Sequence, residues 1–85
     1  MADSDSRRKR ALYRAHHRGT KEMDLLLGGF ADAELARMSD SELDAFELLL
    51  ALPDPELDRL LKGAEPPPDL AFLFGRIRRH YGLTA

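Results

Sequence analysis

Large apolar residues recur every three or four positions along most of this chain, and nowhere do they alternate with a period of two. The helical spacing is clear in four segments, 23–30, 43–50, 57–61 and 70–81. Side chains three and four residues apart share one face of an α-helix, so each segment predicts a helix with one buried face. Because no alternating segment is present, the sequence predicts an all-α fold without strands.

A basic segment at the start of the chain adds a fifth helix. Ser6 is a suitable N-cap, and residues 7–17 are expected to be helical although their only apolar core candidates are Ala11, Leu12 and Ala15. A helix with so little apolar surface is stable only when it docks on its neighbours. The sequence therefore predicts a small five-helix bundle.

Gly19 separates the first helix from the second. Glycine readily adopts the left-handed backbone conformation that ends many helices, and Thr20 can cap the helix that follows. Gly28 and Gly29 lie inside the second helix and cost roughly 1 kcal/mol each relative to alanine. The helix is therefore expected to bend or end there, or to continue through residues 31–38. Its buried stripe is predicted to be Met23, Leu26, Leu27 and Phe30.

The last three helices have distinct start signals. Ser39 followed by Glu42 has the spacing of a capping box, which predicts the start of the third helix. Asp54 is expected to cap the fourth helix, with Pro55 at its first position, where the missing N–H is harmless. The fifth helix is expected after a proline triplet, with Asp69 as its N-cap.

The length of 85 residues allows one domain and only a thin core. We expect residues 1–6 to form a flexible tail and residues 7–82 a single helical domain. The chain has no cysteine, which excludes disulfides and thiolate metal sites. A core this small disfavours an enclosed catalytic cleft, so an independent enzyme is not expected.

The net charge of −2 conceals an uneven distribution. The middle of the chain is acidic, whereas cations crowd the first segment: Arg7, Arg8, Lys9, Arg10, Arg14 and Arg18. No apolar run approaches the ~20 residues that span a bilayer, and the first residues lack the apolar core of a secretory signal. We therefore expect a cytoplasmic, bacterial protein that does not insert into a membrane.

Nucleic-acid binding through the basic first helix is the alternative function. Phosphates bind clustered lysines and arginines. Three observations argue against nucleic-acid binding. The net charge is acidic, Tyr13 is the only aromatic residue of the basic segment, and the sequence has no helix-turn-helix pattern. A small regulatory helical protein is a related alternative.

Catalytic and metal-binding patterns are weak. His16 and His17 are adjacent and point to different sides of a helix, and no third ligand completes a metal site with distant His80. Glu22 and Asp24 diverge on a helix, so they are not placed for acid–base catalysis and instead suit a helix N-terminus or a partner contact. No phosphate-binding or nucleophile motif is present.

Arg18 and Glu22 have the spacing of a helical ion pair, but Gly19 interrupts the helix between them. We therefore expect both side chains to be free to contact another molecule. Arg18-Gly19-Thr20-Lys21-Glu22 has the form RGxxE, and the segments 11–14, 23–27, 46–49 and 54–57 provide its context. With these segments the sequence resembles the succinate dehydrogenase assembly factor family, also called the SdhE or flavinator family.

The resemblance implies a small five-helix protein that binds the flavoprotein subunit of succinate dehydrogenase and promotes covalent attachment of FAD to it. The resemblance also implies fumarate reductase as a second client in some bacteria. Such a protein is an assembly chaperone and not an enzyme, and it is expected to be a monomer that holds no cofactor stably. The partner-binding residues that the resemblance implies, with neighbouring candidates, are Arg18, Gly19, Glu22, Asp24, Arg8 and His17.

Two positions depart from the family pattern. Thr20 stands where a larger apolar residue is usual, and Leu60 stands where many members carry tryptophan. The first is expected to alter the contact at the helix break or to improve capping, and the second to change only packing.

Overall fold

A computed structural model describes the backbone of residues 2–82 and the side chains of residues 5–82. It contains five α-helices in this range: α1 (Ala2–His16), α2 (Lys21–Glu34), α3 (Asp40–Leu50), α4 (Asp54–Leu61) and α5 (Ala71–His80). Short 3-10 turns, Leu35–Arg37 and Pro68–Leu70, follow α2 and precede α5. No strand occurs within residues 2–82, and the predicted all-α, five-helix, single-domain fold is confirmed.

The helices α1 and α2 form an antiparallel hairpin, which is the largest helix–helix contact of the fold. Among the described side chains of α1, only those of Ala11 and Ala15 are buried, and their small size lets the two helices approach closely. Toward the start of α1, Arg7 binds Glu47 on α3 through two hydrogen bonds of 3.1 and 2.9 Å. Docking against both neighbours therefore holds the weakly apolar first helix, as expected.

The core lies where α2, α3 and α5 meet. Phe30, Phe46 and Phe74 are fully buried, and the rings of Phe30 and Phe46 are 6.0 Å apart. Arg76 of α5 closes the edge of this core by binding Glu34 at 2.7 Å, and that hydrogen bond lowers the pKa of the Glu34 carboxyl. Leu60 is buried as well, in agreement with a purely packing role at that position.

Two of the predicted helix starts carry the expected capping bonds. Thr20 Oγ1 accepts a hydrogen bond from the Met23 N–H at 3.3 Å. Ser39 Oγ accepts from the Glu42 N–H at 3.2 Å, and the Glu42 carboxylate accepts from the Ser39 N–H at 2.9 Å. These short-range interactions set where α2 and α3 begin.

Three other predicted starts are wrong. Helix α1 begins at Ala2, so Ser6 lies inside the helix; the Lys9–Asp5 pair one turn apart supports this earlier start. Asp54 is the first residue of α4 and Pro53 its N-cap, and Asp69 lies in the 3-10 turn before α5, which has no side-chain cap. The boundary between a tail, 1–6, and a domain, 7–82, stays a prediction.

The glycine pair does not end α2, which continues to Glu34. A Cβ on Gly28 would lie 2.5 Å from Nδ1 of His16, and a Cβ on Gly29 would lie 2.7 Å from the hydroxyl of Tyr81. Both glycines therefore make room for side chains of neighbouring elements. The predicted stripe is correct except at Leu26, which is only half-buried, while Ala31 is fully buried.

Replacing Gly28 by alanine is expected to lower the free energy of unfolding by about 1–2 kcal/mol, because overpacking outweighs the gain in helix propensity. The new methyl group would displace the His16 ring, whose Nε2 hydrogen-bonds to Asp32 at 2.9 Å. Urea unfolding of the two proteins measures the difference.

The matched control is Gly75→Ala in α5, where the added Cβ would lie an ordinary 3.6 Å from Arg79. Here only the propensity gain applies, and stability should rise by up to about 1 kcal/mol. Equal stabilisation by both substitutions would show that Gly28 has no packing role.

Candidate functional site

The candidate site is the break between α1 and α2 together with the first turn of α2, residues 17–24, here called the corner. It contains five residues of the predicted set, His17, Arg18, Gly19, Glu22 and Asp24. Gly19 has φ +110°, a backbone conformation that L side chains rarely adopt. The Asp24 carboxylate accepts a hydrogen bond from the backbone N–H of Arg18 at 2.5 Å. Asp24 therefore fixes the path of the chain through the corner.

The Arg18 guanidinium points inward, toward the turn between α3 and α4. Its Nε and Nη2 donate to Asp54 Oδ1 at 3.1 and 3.0 Å. Nη2 also donates to the Leu52 carbonyl at 2.7 Å, and Nη1 donates to the Leu50 carbonyl. The side chain is only 11% exposed. The expectation that Arg18 is free to contact another molecule is therefore wrong.

The chemistry of this turn explains why an arginine fits. Leu50 is the last residue of α3, where the final carbonyls of a helix have no intrahelical donor and carry partial negative charge. Asp54 opens α4 four residues later. A planar fork with several donors satisfies both carbonyls and the carboxylate at once. Arg18 thereby ties the corner to the start of α4.

Glu22 is the open carboxylate of the corner. It is exposed and forms no hydrogen bond with the described residues. Next to it, Lys62 binds Asp58 at 3.0 Å, and the pKa of Lys62 is raised, first by that bond and more weakly by the charge of Glu22. Glu22, Asp58 and Lys62 lie along one open groove of about 300 Å³. Its lining residues are Thr20, Glu22, Met23, Asp54, Pro55, Asp58 and Lys62.

The other predicted site residues, His17 and Arg8, lie apart from this groove. The exposed ring of His17 stacks on Tyr13 with ring centroids 4.0 Å apart, on the outer side of α1. Arg8 donates to the Leu35 carbonyl at 2.7 Å, at the far end of the hairpin. Eight residues of helix separate it from the end of α1, a distance of about 12 Å. Arg8 therefore does not join the corner.

Sequence reasoning missed the role of Asp54. It assigned this residue to a helix cap, whereas the carboxylate binds an arginine 36 positions earlier. No local spacing connects residues so far apart in the chain. The carbonyl partners of Arg18 are equally hidden, because every residue type carries the same backbone acceptor.

Within the described part of the chain, no group of three or more His, Asp or Glu side chains is arranged to hold a metal ion. None of the helices in that part has the length and apolar character needed to cross a bilayer.

Comparison with known proteins links this geometry to one family. A family model described as flavinator of succinate dehydrogenase matches residues 9–81. The FAD assembly factor SdhE of Acetobacter pasteurianus is 47% identical over 64 residues, which cover 75% of this chain and 59% of that protein. The FAD assembly factor SdhE of Legionella pneumophila is 41% identical over 63 residues, covering 74% of this chain and 80% of that protein.

A mitochondrial relative extends the match. The succinate dehydrogenase assembly factor 2 of Dictyostelium discoideum is 34% identical over 82 residues, covering 95% of this chain and 58% of that protein. The chain thus spans little more than half the length of the Acetobacter and Dictyostelium relatives. No solved structure matches. Because the family model covers the corner and almost all of the helical bundle, the chain belongs to the flavinator of succinate dehydrogenase family.

Proposed function

We propose that this protein is an assembly factor that binds the flavoprotein subunit of succinate dehydrogenase and promotes covalent attachment of FAD to that subunit. The observation that carries the proposal is the family match over residues 9–81, which includes the whole corner. Relatives from two bacteria are named FAD assembly factors, and this supports the same role here.

The corner is the proposed contact surface. Gly19 is exposed, and a Cβ there would approach only Asp54 Oδ2, at 3.9 Å, so space in front of the backbone is open to a partner. The Glu22 carboxylate can accept hydrogen bonds from that partner, whereas the exposed ring of His17 lies against Tyr13, apart from the groove. Arg18 and Asp24 hold this surface in place from behind.

Positioning is the proposed mechanism. Binding at the corner fixes a flavoprotein conformation in which FAD and the acceptor histidine meet in reactive geometry, and such orientation alone accelerates bond formation. The bond forms within the flavoprotein, and this protein neither turns over a substrate nor holds FAD stably. It acts as a monomer in the bacterial cytoplasm. Fumarate reductase stays a predicted second client.

The test is a flavinylation assay with purified components. Apo flavoprotein from cells that lack an assembly factor is incubated with FAD, with and without this protein, and covalent flavin is read as fluorescence after denaturing electrophoresis. We expect a clear increase in the rate of covalent labelling. A flavoprotein without the acceptor histidine sets the background. Unchanged labelling by the folded wild-type protein would overturn the proposal.

The nucleic-acid alternative has one observation in its favour. Arg10 and Arg14 lie on the exposed side of α1 and form no ion pair with the side chains of residues 5–82. The family match favours the flavoprotein as partner. A salt-sensitive shift of DNA or RNA by this protein, without any effect on flavinylation, would reverse that preference.

A further inference from the structure

We infer that Asp54, which lies outside the RGxxE motif, is a positioning residue that gives the corner its binding-competent shape through Arg18. The inference rests on the proposed function, because it concerns how the corner meets the flavoprotein. It assigns a role to the start of α4, an element 30 residues beyond the corner's last residue, Asp24.

The two oxygens of the Asp54 carboxylate have different surroundings. Oδ1 receives both Arg18 hydrogen bonds, from Nε and from Nη2. Oδ2 lies near Gly19, 3.9 Å from the position that a Cβ on that residue would occupy. One carboxylate therefore binds Arg18 and lies close to Gly19, the residue proposed to face the partner.

The corner has few other supports. Residues 17–20 form no regular helix. Besides the backbone hydrogen bonds from His17 to Arg14 and from Asp24 to Thr20, three interactions hold their path: the Thr20 cap, the Asp24 bond to the Arg18 N–H, and the bonds of the Arg18 side chain. The first two tie the corner only to α2. Among the hydrogen bonds and ion pairs of residues 5–82, only the Arg18–Asp54 pair joins the corner to α4, beside the groove that Glu22 also lines.

Without the carboxylate, Arg18 would keep its bonds to the Leu50 and Leu52 carbonyls. The end of α3 would stay tied to the corner, while the start of α4 would be released. Because Glu22 and residues of α4 line the same groove, the distance between Glu22 and α4 would no longer be fixed by this pair. A partner that fits the native groove would then have to fix the position of α4 when it binds. The entropy lost in this step weakens the affinity.

The substitutions Asp54→Ala and Asp54→Asn separate positioning from direct contact. Asparagine keeps an oxygen that can accept both Arg18 bonds but lacks the negative charge, whereas alanine removes both. We expect Asp54→Ala to weaken binding to the purified flavoprotein by about tenfold or more, as for loss of hydrogen bonds to a charged group. Asp54→Asn should stay within about threefold of wild type, and flavinylation rates should follow the same order.

Ile77→Val is the control for general loss of stability, since it removes one methylene from a fully buried site in α5. Affinities are compared at a temperature at which all variants are folded. If Asp54→Asn binds as weakly as Asp54→Ala, the charge of Asp54 contacts the partner directly and the inference fails. It also fails if Asp54→Ala binds no more weakly than Ile77→Val.

A readout on the isolated protein keeps this test independent of the proposed function. Amide hydrogen exchange of residues 18–24 should accelerate in Asp54→Ala and stay near wild type in Asp54→Asn and Ile77→Val. If the wild-type protein did not bind the flavoprotein, the proposed function would fail, while the exchange data would still decide whether Asp54 shapes the corner. Equal exchange in all variants would overturn the inference.

Discussion

Arg18→Ala should lower the free energy of unfolding by about 2–4 kcal/mol. The substitution removes the guanidinium that donates hydrogen bonds to the Asp54 carboxylate and to the carbonyls of Leu50 and Leu52, and leaves these three groups without that donor. The Arg18 side chain is 11% exposed and that of Asp54 29%, so water replaces the lost bonds only in part. For a domain of this size the melting temperature should fall by roughly 10–25 °C. Thermal unfolding followed by circular dichroism measures the shift.

The matched control is Arg14→Ala, which removes the same side chain from an exposed position of α1 without an ion pair to the described residues. That substitution should change stability by no more than about 0.5 kcal/mol. Equal losses from both variants would mean that the hydrogen bonds of Arg18 contribute nothing beyond the effect of removing an exposed positive charge. A normal melting temperature for Arg18→Ala would restore the view that its guanidinium is free for the partner.

Glu22→Ala should give the opposite result, a folded protein with little function. Glu22 is exposed and unbonded among the described residues, so only its favourable interaction with the N-terminus of α2 is lost, about 0.3–1 kcal/mol. Affinity for the flavoprotein should fall by about tenfold or more, because the carboxylate is the corner's open acceptor. The covalent flavin assay should show a matching loss of labelling rate.

Two further variants sharpen this prediction. Glu65→Ala changes the net charge by the same amount at an exposed loop position and should bind as wild type does. Glu22→Gln keeps the acceptor oxygen without the charge, so a partial loss would indicate that a cationic group of the partner contacts Glu22. Full activity of folded Glu22→Ala would remove Glu22 from the contact surface without affecting the family assignment.

The two predictions together divide the RGxxE motif by function. Arg18 is expected to act on stability through the α3–α4 turn, and Glu22 on binding through its exposed carboxylate. Gly19 lies between them with a backbone conformation suited to glycine and open space in front of it. From sequence, the whole motif is predicted to be one contact surface. In the structure, Arg18 forms hydrogen bonds inside the protein, while the Glu22 carboxylate is exposed.

The starts of α2 and α3 could be predicted because their signals are local. Thr20 and Ser39 bond to backbone groups three residues away, and such contacts hardly depend on the rest of the fold. The same reasoning failed at Asp54 and Asp69, whose residue types also suit helix caps. At Asp54 the carboxylate is bound by Arg18 instead, so a distant partner outweighs the local preference.

The glycine pair of α2 shows the same limit. From sequence, two adjacent glycines destabilise a helix, and α2 is expected to bend there, to end there or to continue. The structure shows an unbroken helix in which Gly28 accommodates His16 and Gly29 accommodates Tyr81. Which side chain fills the space left by a missing Cβ depends on how the elements pack, and no spacing along the chain encodes it.

The sequence by itself determined the all-α class, the two capped helix starts, the positive φ of Gly19 and the family, since these depend on residue types within a few positions or on the pattern as a whole. Only the tertiary structure decided that Arg18 is bound internally and that Glu22 is left open. The physical reason is that two of the three acceptors of Arg18 are main-chain carbonyls, one at the end of α3 and one in the turn that follows it. Their position, and not their residue identity, makes them partners.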